Sequence, residues 1–422
     1  MKKIINIISH FNEYVANKGI NPVNVFFRLF LVLFLVDSAI NYFTHVPVFV
    51  IGAIIIFPVF FFMSLINNPD KKQMLAFILA FIIISIFNNI VHPFHEKNIS
   101  DLLFVFLFFA AYFYYRENIN KLIVANVWLF LLASLFMFSF AFINIQSDPL
   151  AKKDRVHKYK HSPTAIKWKK NKLDKIEAPR NYNAGIFRYS HIASYFFGFL
   201  MIFFLNKYWK KNKIVSVAII IVSFALLFYT GSRAMIFAVF LSSILFLIRR
   251  KYYVYLLPIA AIIGAGVIWV DYFLSISGGS IFYQFVALIK TGTENFTRLS
   301  RYRIWYSWWV EVQDFGFLDF LIGRTNYSGI LANKANLNYE IWFHNDFLNI
   351  FYSYGILGLL LYVWFFVRIF IDNRSFITGN FFIFTFFVAM LITAIINGFY
   401  FYFPIFLLYL FFLMIKEEKH II

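Results

Sequence analysis

Long uninterrupted apolar runs, most of them 17–25 residues, recur along this chain from residue 24 to residue 415. At 1.5 Å per helical residue such a run crosses a hydrocarbon core about 30 Å thick. Of the 422 residues, 61% are hydrophobic, against about 45–50% in soluble domains. Aromatic residues make up 23%, with 61 Phe among them. The pattern predicts an all-α fold, a polytopic transmembrane helical bundle that forms a single integral membrane domain over 1–422. Twelve spans are expected, near 24–43, 47–66, 74–92, 101–115, 122–144, 190–206, 213–230, 234–248, 253–270, 346–371, 379–396 and 398–415. The chain has no Cys, which excludes disulfides and thiolate chemistry without fixing a compartment. Lys2 and Lys3 precede no short apolar core with a small-residue cleavage site, so no removable signal peptide is expected.

The net charge of +19 is informative through its placement. With the N-terminus in the cytoplasm, the short cytoplasmic loops carry Lys71, Lys72, Arg116, Lys121, Lys207, Lys210, Lys211, Lys213, Arg249, Arg250, Lys251, Arg368 and Arg374. The short outer loops hold only Lys97 and Arg233. That asymmetry obeys the positive-inside rule and puts both termini in the cytoplasm. Two long loops then fall outside. Loop 145–189 has twelve Lys and Arg against four Asp and Glu, and loop 271–345 has six of each. Connections longer than about 12–15 residues usually carry a function or are disordered.

Three polar marks fall on that outer side. In "YTGSRAMIF" (229–237) a turn between two spans leaves Arg233 at the boundary. It is either a snorkelling anchor or a fixed guanidinium able to grip a phosphate by two parallel hydrogen bonds. In "FTRLSRYRIWYSWWVEVQDF" (296–315) a helix would set Arg298, Arg301, Trp305 and Trp308 on one face, with Arg303 turned off it. Such a helix suits the membrane interface, as an anchor or as part of a site. In "IWFHNDFLNIFYSYGILGLLLY" (341–362) His344, Asn345 and Asp346 stand at the mouth of a span. Gly355 and Gly358 within it suit close helix packing. Imidazole, with an ordinary pKa of about 6.5, suits proton transfer near neutrality. Asn345 would orient that imidazole or cap the helix.

These stretches, "TGSRA", "SRYRIW" and "HNDFLNIFYSYGILG", resemble the O-antigen ligase and O-antigen polymerase superfamily of bacterial membrane glycosyltransferases. The last keeps the family's His-Asn, nine residues, then Gly-x-x-Gly. A looser match, "APRNYNAGIFRYSHIAS" (178–194), adds Arg180, Arg188 and His191 as substrate-binding candidates beside Arg303 and Asn345. The resemblance implies a GT-C-like enzyme of the inner membrane with its active site facing the exterior. It implies inverting, metal-independent glycan transfer from an undecaprenyl-diphosphate-linked donor. His344 would serve as base, with Arg233 and Arg301 on the diphosphate. No cofactor, metal or nucleic acid is implied; the bilayer and a chain-length regulator protein are the expected partners. One departure is Arg324 in "LIGRTN", where the family often has Gly-x-Gly.

A polymerase would transfer glycan to a lipid-linked repeat unit, a ligase to lipid A core. The basic loop 145–189, suited to a second anionic carrier or an acidic glycan, favours the polymerase. A transporter or flippase is the non-enzyme alternative, but its charges usually lie near the bilayer midplane, whereas Arg28 and Asp37 lie towards the ends of their span. A metal-dependent transferase would want carboxylates in the first outer loop, and "THVP" has none. A cell-wall polymerase with a carboxylate base would draw on Asp314, Asp319 or Asp346.

Overall fold

The computed structural model describes residues 71–92, 190–203, 213–229, 233–249, 251–257, 261, 300–338, 341–372, 374–379 and 381–398. Among these residues the protein is helical, with no strand. The α-helices are α1 (Lys71–Val91), α2 (Ser190–Phe203), α3 (Lys213–Tyr229), α4 (Arg233–Arg249), α5 (Ser300–Gln313), α6 (Phe317–Ile322), α7 (Asn326–Leu337), α8 (Asp346–Asp372), α9 (Arg374–Gly379) and α10 (Phe381–Ile396). Six of them fall on expected spans: α1, α2, α3, α4, α8 and α10. The expected spans 24–43, 47–66, 101–115, 122–144 and 398–415 and the loop 145–189 lie outside the described residues. The 253–270 run opens with a 3₁₀ turn, Tyr253–Tyr255, and most of its remainder also lies outside.

Asp346–Ile371 is the one helix among the described residues that is long and apolar enough to cross a membrane. The other helices show why apolar helices pack here. On α10 the buried residues Phe386, Ala389, Met390, Thr393 and Ala394 recur at three- and four-residue spacing, one stripe of a 3.6-residue helix. This stripe packs on α4, where Met235 and Ala238 are fully buried. The pair is antiparallel, because the Arg249 guanidinium near the end of α4 lies 5.3 Å from the Phe384 ring near the start of α10. Gly198 of α2 gives Met235 its space: a Cβ there would sit 2.7 Å from the Met235 Cγ.

The second long loop is a folded helical cap over its described part. Only the first of its three helices, α5, is anticipated by the sequence. Ile304, Ser307, Trp308, Glu311, Val312 and Phe315 turn inward at helical spacing. Ile304 joins Ala332 and Leu337 of α7, Phe343, and Tyr352 of α8 in a core closed by Trp305, Trp308, Val312, Phe315 and Leu348. The Trp308 indole N–H donates to the Leu348 carbonyl at 3.0 Å. So Trp308 fastens the cap to the first turn of α8, while Tyr306 and Trp309 face outward at 56% and 54% exposure. Arg298, expected on the same face, lies outside the described residues.

α8 breaks at Gly355, where φ is 65° and ψ −166°. A break frees carbonyls, and a buried carbonyl needs a partner. The Arg324 N–H donates to the Tyr352 carbonyl at 2.8 Å and the Thr325 N–H to Ser353 at 3.2 Å. The Asn88 amide near the end of α1 donates to the same Ser353 carbonyl at 2.5 Å and to Ile322 at 3.0 Å. A Cβ at Gly355 would land on the backbone of Leu321 and Ile322, and one at Gly323 on Ser353 and Tyr354. Gly355 therefore serves close approach, as its sequence context suggests. Gly358 does not, since the three nearest atoms to a Cβ there belong to Tyr354 and Ile350 of its own helix and not to a neighbouring one.

Candidate active site

α8 begins with a capped turn. Asn345 accepts from the Leu348 N–H through Oδ1 at 3.1 Å, and its carbonyl accepts from the Asn349 N–H at 3.0 Å. Of the two roles open to Asn345, the structure shows the cap. The residue before it, His344, has φ 54°, the left-handed region. Non-glycine residues there are uncommon and concentrate at constrained sites. The imidazole of His344 is buried.

Four elements meet at that imidazole. Its Nδ1 lies 3.4 Å from the carbonyl of Asn397, just past the end of α10. Asn397 also accepts, through Oδ1, from the Arg301 guanidinium of α5. Its Nδ2 donates to the Tyr195 hydroxyl of α2 at 2.7 Å. His191, one turn before Tyr195 on α2, stands close enough to act on His344 electrostatically. Trp342 lies against the ring, with centroids 5.0 Å apart. Gly398, at φ 71°, has no Cβ to strike the Trp342 ring or to approach Asp346 Oδ1 at 2.9 Å.

Burial holds His344 well below the ordinary histidine range, and the positive charge of Arg301 and then His191 push in the same direction. The hydrogen bond to Asn397 opposes them. The net result is an imidazole that stays neutral, with a lone pair available. Arg301 beside it is a permanent cation with a planar, two-pronged donor set. Together they can accept a proton and hold an anionic group at one place.

The structure thus brings together Arg301, His344 and His191 of the residues expected from sequence. Arg303 is half-buried on α5, two positions or about 200° around the helix from Arg301. The backbone of Arg233 opens α4, at the end of the antiparallel α4–α10 pair where Asn397 lies. Arg180 and Arg188 lie outside the described residues. Asp346 is fully buried and accepts from the Tyr362 hydroxyl at 2.8 Å. Asp319 is engaged elsewhere, by Arg324 at 2.8 Å and by His92 at 3.1 Å. Arg324 of "LIGRTN" stacks 4.7 Å from the Phe315 ring and donates to the Asp314 carbonyl at 2.7 Å. It braces the cap, away from the contacts of His344. Among the described residues no group of three or more His, Asp or Glu could hold a metal ion.

Sequence reasoning missed Asn397 and Tyr195. Each left a trace: Asn397-Gly398 is a turn pair between two apolar runs, and Tyr195 stands four residues after His191, on the same helix face.

No family model, curated protein or solved structure matches this chain.

Proposed function

We propose that this protein is a membrane glycosyltransferase that transfers a glycan from an undecaprenyl-diphosphate-linked donor to a lipid-linked repeat unit, a polysaccharide polymerase of the O-antigen or capsule type. The observation that carries the reading is the meeting of a buried neutral histidine with Arg301 and His191 beneath a helical cap. An acceptor hydroxyl attacking an anomeric carbon must lose a proton; His344 takes it. The bond from that carbon to the diphosphate breaks as the new glycosidic bond forms on the opposite face, which inverts the anomeric centre. The departing diphosphate gains charge, which Arg301 and Arg233 neutralise. The remaining spans, about twelve in all, complete a GT-C-like bundle in the inner membrane. The site then faces the exterior and both termini face the cytoplasm.

The polymerase reading draws on the basic loop 145–189; a ligase would use the same donor and the same chemistry. Purified protein in lipid nanodiscs, given a polyprenyl-diphosphate-linked oligosaccharide, should lengthen it without a lipid A core acceptor. A deletion strain that keeps single repeat units on lipid A core means polymerase. One that accumulates polymer on the carrier means ligase. His344→Ala should lose about 10²–10⁴-fold in transfer rate, with donor binding nearly intact. A variant that transfers at the parent rate puts the base elsewhere.

A further inference from the structure

The side chain and carbonyl of Asn397 together reach three elements of the bundle, and each contact has a direction. A carbonyl oxygen can only accept. The hydrogen bond between the Asn397 carbonyl and His344 Nδ1, at 3.4 Å, therefore requires the proton on Nδ1. The neutral imidazole then carries its lone pair on Nε2. The same residue's Oδ1 accepts from Arg301, and its Nδ2 donates to Tyr195 at 2.7 Å. Aspartate could not make that donation, and alanine would make neither bond. Asn397 is completely buried, so none of these bonds is exchanged with water without cost.

We propose that Asn397 is the positioning residue of this site: its carbonyl fixes the tautomer that leaves His344 Nε2 basic, and its amide side chain locks Arg301 to the same point. The kinetic part of this inference rests on the transfer reaction proposed above; the tautomer part does not. The groups facing His344 are Arg301 from α5 and His191 from α2, with Asp346 two residues along on α8 and already bonded to Tyr362. A carboxylate placed at position 397 would add an opposing charge to that cationic set. It would favour the imidazolium and raise the pKa of His344.

The test has two arms. In the first, Asn397→Asp keeps an acceptor for Arg301, so transfer should persist while the acid limb of its pH–rate profile moves up by about 1 unit or more. Asn397→Ala should lower the rate about 10²-fold, the scale of an ångström of misplacement, at parental protein level. An acid limb unmoved in Asn397→Asp, together with a near-parental rate in Asn397→Ala, overturns the assignment. In the second arm, the parent protein is labelled with ¹⁵N-histidine, and subtraction of a His344→Gln spectrum isolates His344. The Nδ1–H tautomer is expected; the Nε2–H tautomer overturns the proposal without any variant at 397. A parent protein that shows the Nδ1–H tautomer but transfers no glycan sinks the reaction reading and leaves the Asn397 contact standing.

Discussion

At His344 burial and charge act together. A histidine with a lowered pKa keeps its neutral form at lower pH than an exposed one. The rate of a reaction that needs the neutral base therefore falls only when pH drops through that lowered value. The acid limb of kcat/KM should lie below the ordinary histidine value of about 6.5, and a limb above it would mean that another group titrates. Stability has the matching sign: below about pH 6.5 the unfolded chain binds the proton that the folded chain refuses, so acid weakens the fold there. Arg301 gives a second expectation. Lysine cannot reproduce a planar fork that holds Asn397 while offering further donors to a diphosphate. Arg301→Lys should lose most transfer, and Arg303→Lys should be mild because its position is turned about 200° away on α5. Equal losses in the same nanodisc assay would show that the choice between the two arginines is wrong.

At the scale of an element, the break in α8 carries the argument. Gly355 sits at φ 65° with the backbone of α6 against it. An added methyl costs on the order of 1–3 kcal/mol for this nearly glycine-only backbone conformation alone, and its contact with Leu321 and Ile322 adds to that. Gly355→Ala should lower the melting temperature in detergent clearly. Gly316→Ala, at φ −72° with open space around a Cβ, should shift stability within about 0.5 kcal/mol. Similar melting temperatures for both variants would mean that the break is not held by backbone contact. Helix existence was legible wherever a long apolar run stood alone, as in α3, α8 and α10, because burial in an apolar medium depends on the length of such a run. The cap helices α6 and α7 were not legible. They are short, and they are held by the Tyr352 core and by the His92–Asp319 pair, contacts distant in sequence. The same reason hid Asn397. Its role comes from three partners that lie 53 to 202 positions away, which no local spacing encodes. His344 and Arg301 stood out because each lies in a polar stretch bordering an apolar run, and Asn345 was legible as a cap because capping is a local rule.

For the whole molecule, the clustering of helix ends restricts how the chain crosses the bilayer. Near the end of α1, His92 meets Asp319 of the cap at 3.1 Å. The start of α2, the start of α8 and the end of α10 meet at His344 and Asn397. These ends therefore share one side. On the proposed topology, the chain between residues 92 and 190 then needs an even number of crossings. The two spans expected there from sequence, 101–115 and 122–144, match that number and, on the proposed topology, put loop 145–189 on the same side as the cap. α4 ends away from this side, since Arg249 lies by Phe384 near the start of α10. On the same topology the chain from residue 250 to residue 300 needs an odd number of crossings, and the single span expected at 253–270 matches that number. The distribution of Lys and Arg is the ground for proposing that the cap side faces outside. Because the chain has no Cys, single cysteines report sidedness directly. Lys160→Cys and Lys334→Cys should react with an impermeant maleimide in intact spheroplasts. Lys210→Cys and Lys251→Cys should react only after the membrane is opened. Labelling at 210 and 251 with protection at 160 and 334 would invert the protein and place His344 where no exported acceptor could reach it. Labelling split between 160 and 334 would break the even-crossing argument and remove one of the two spans assigned between α1 and α2.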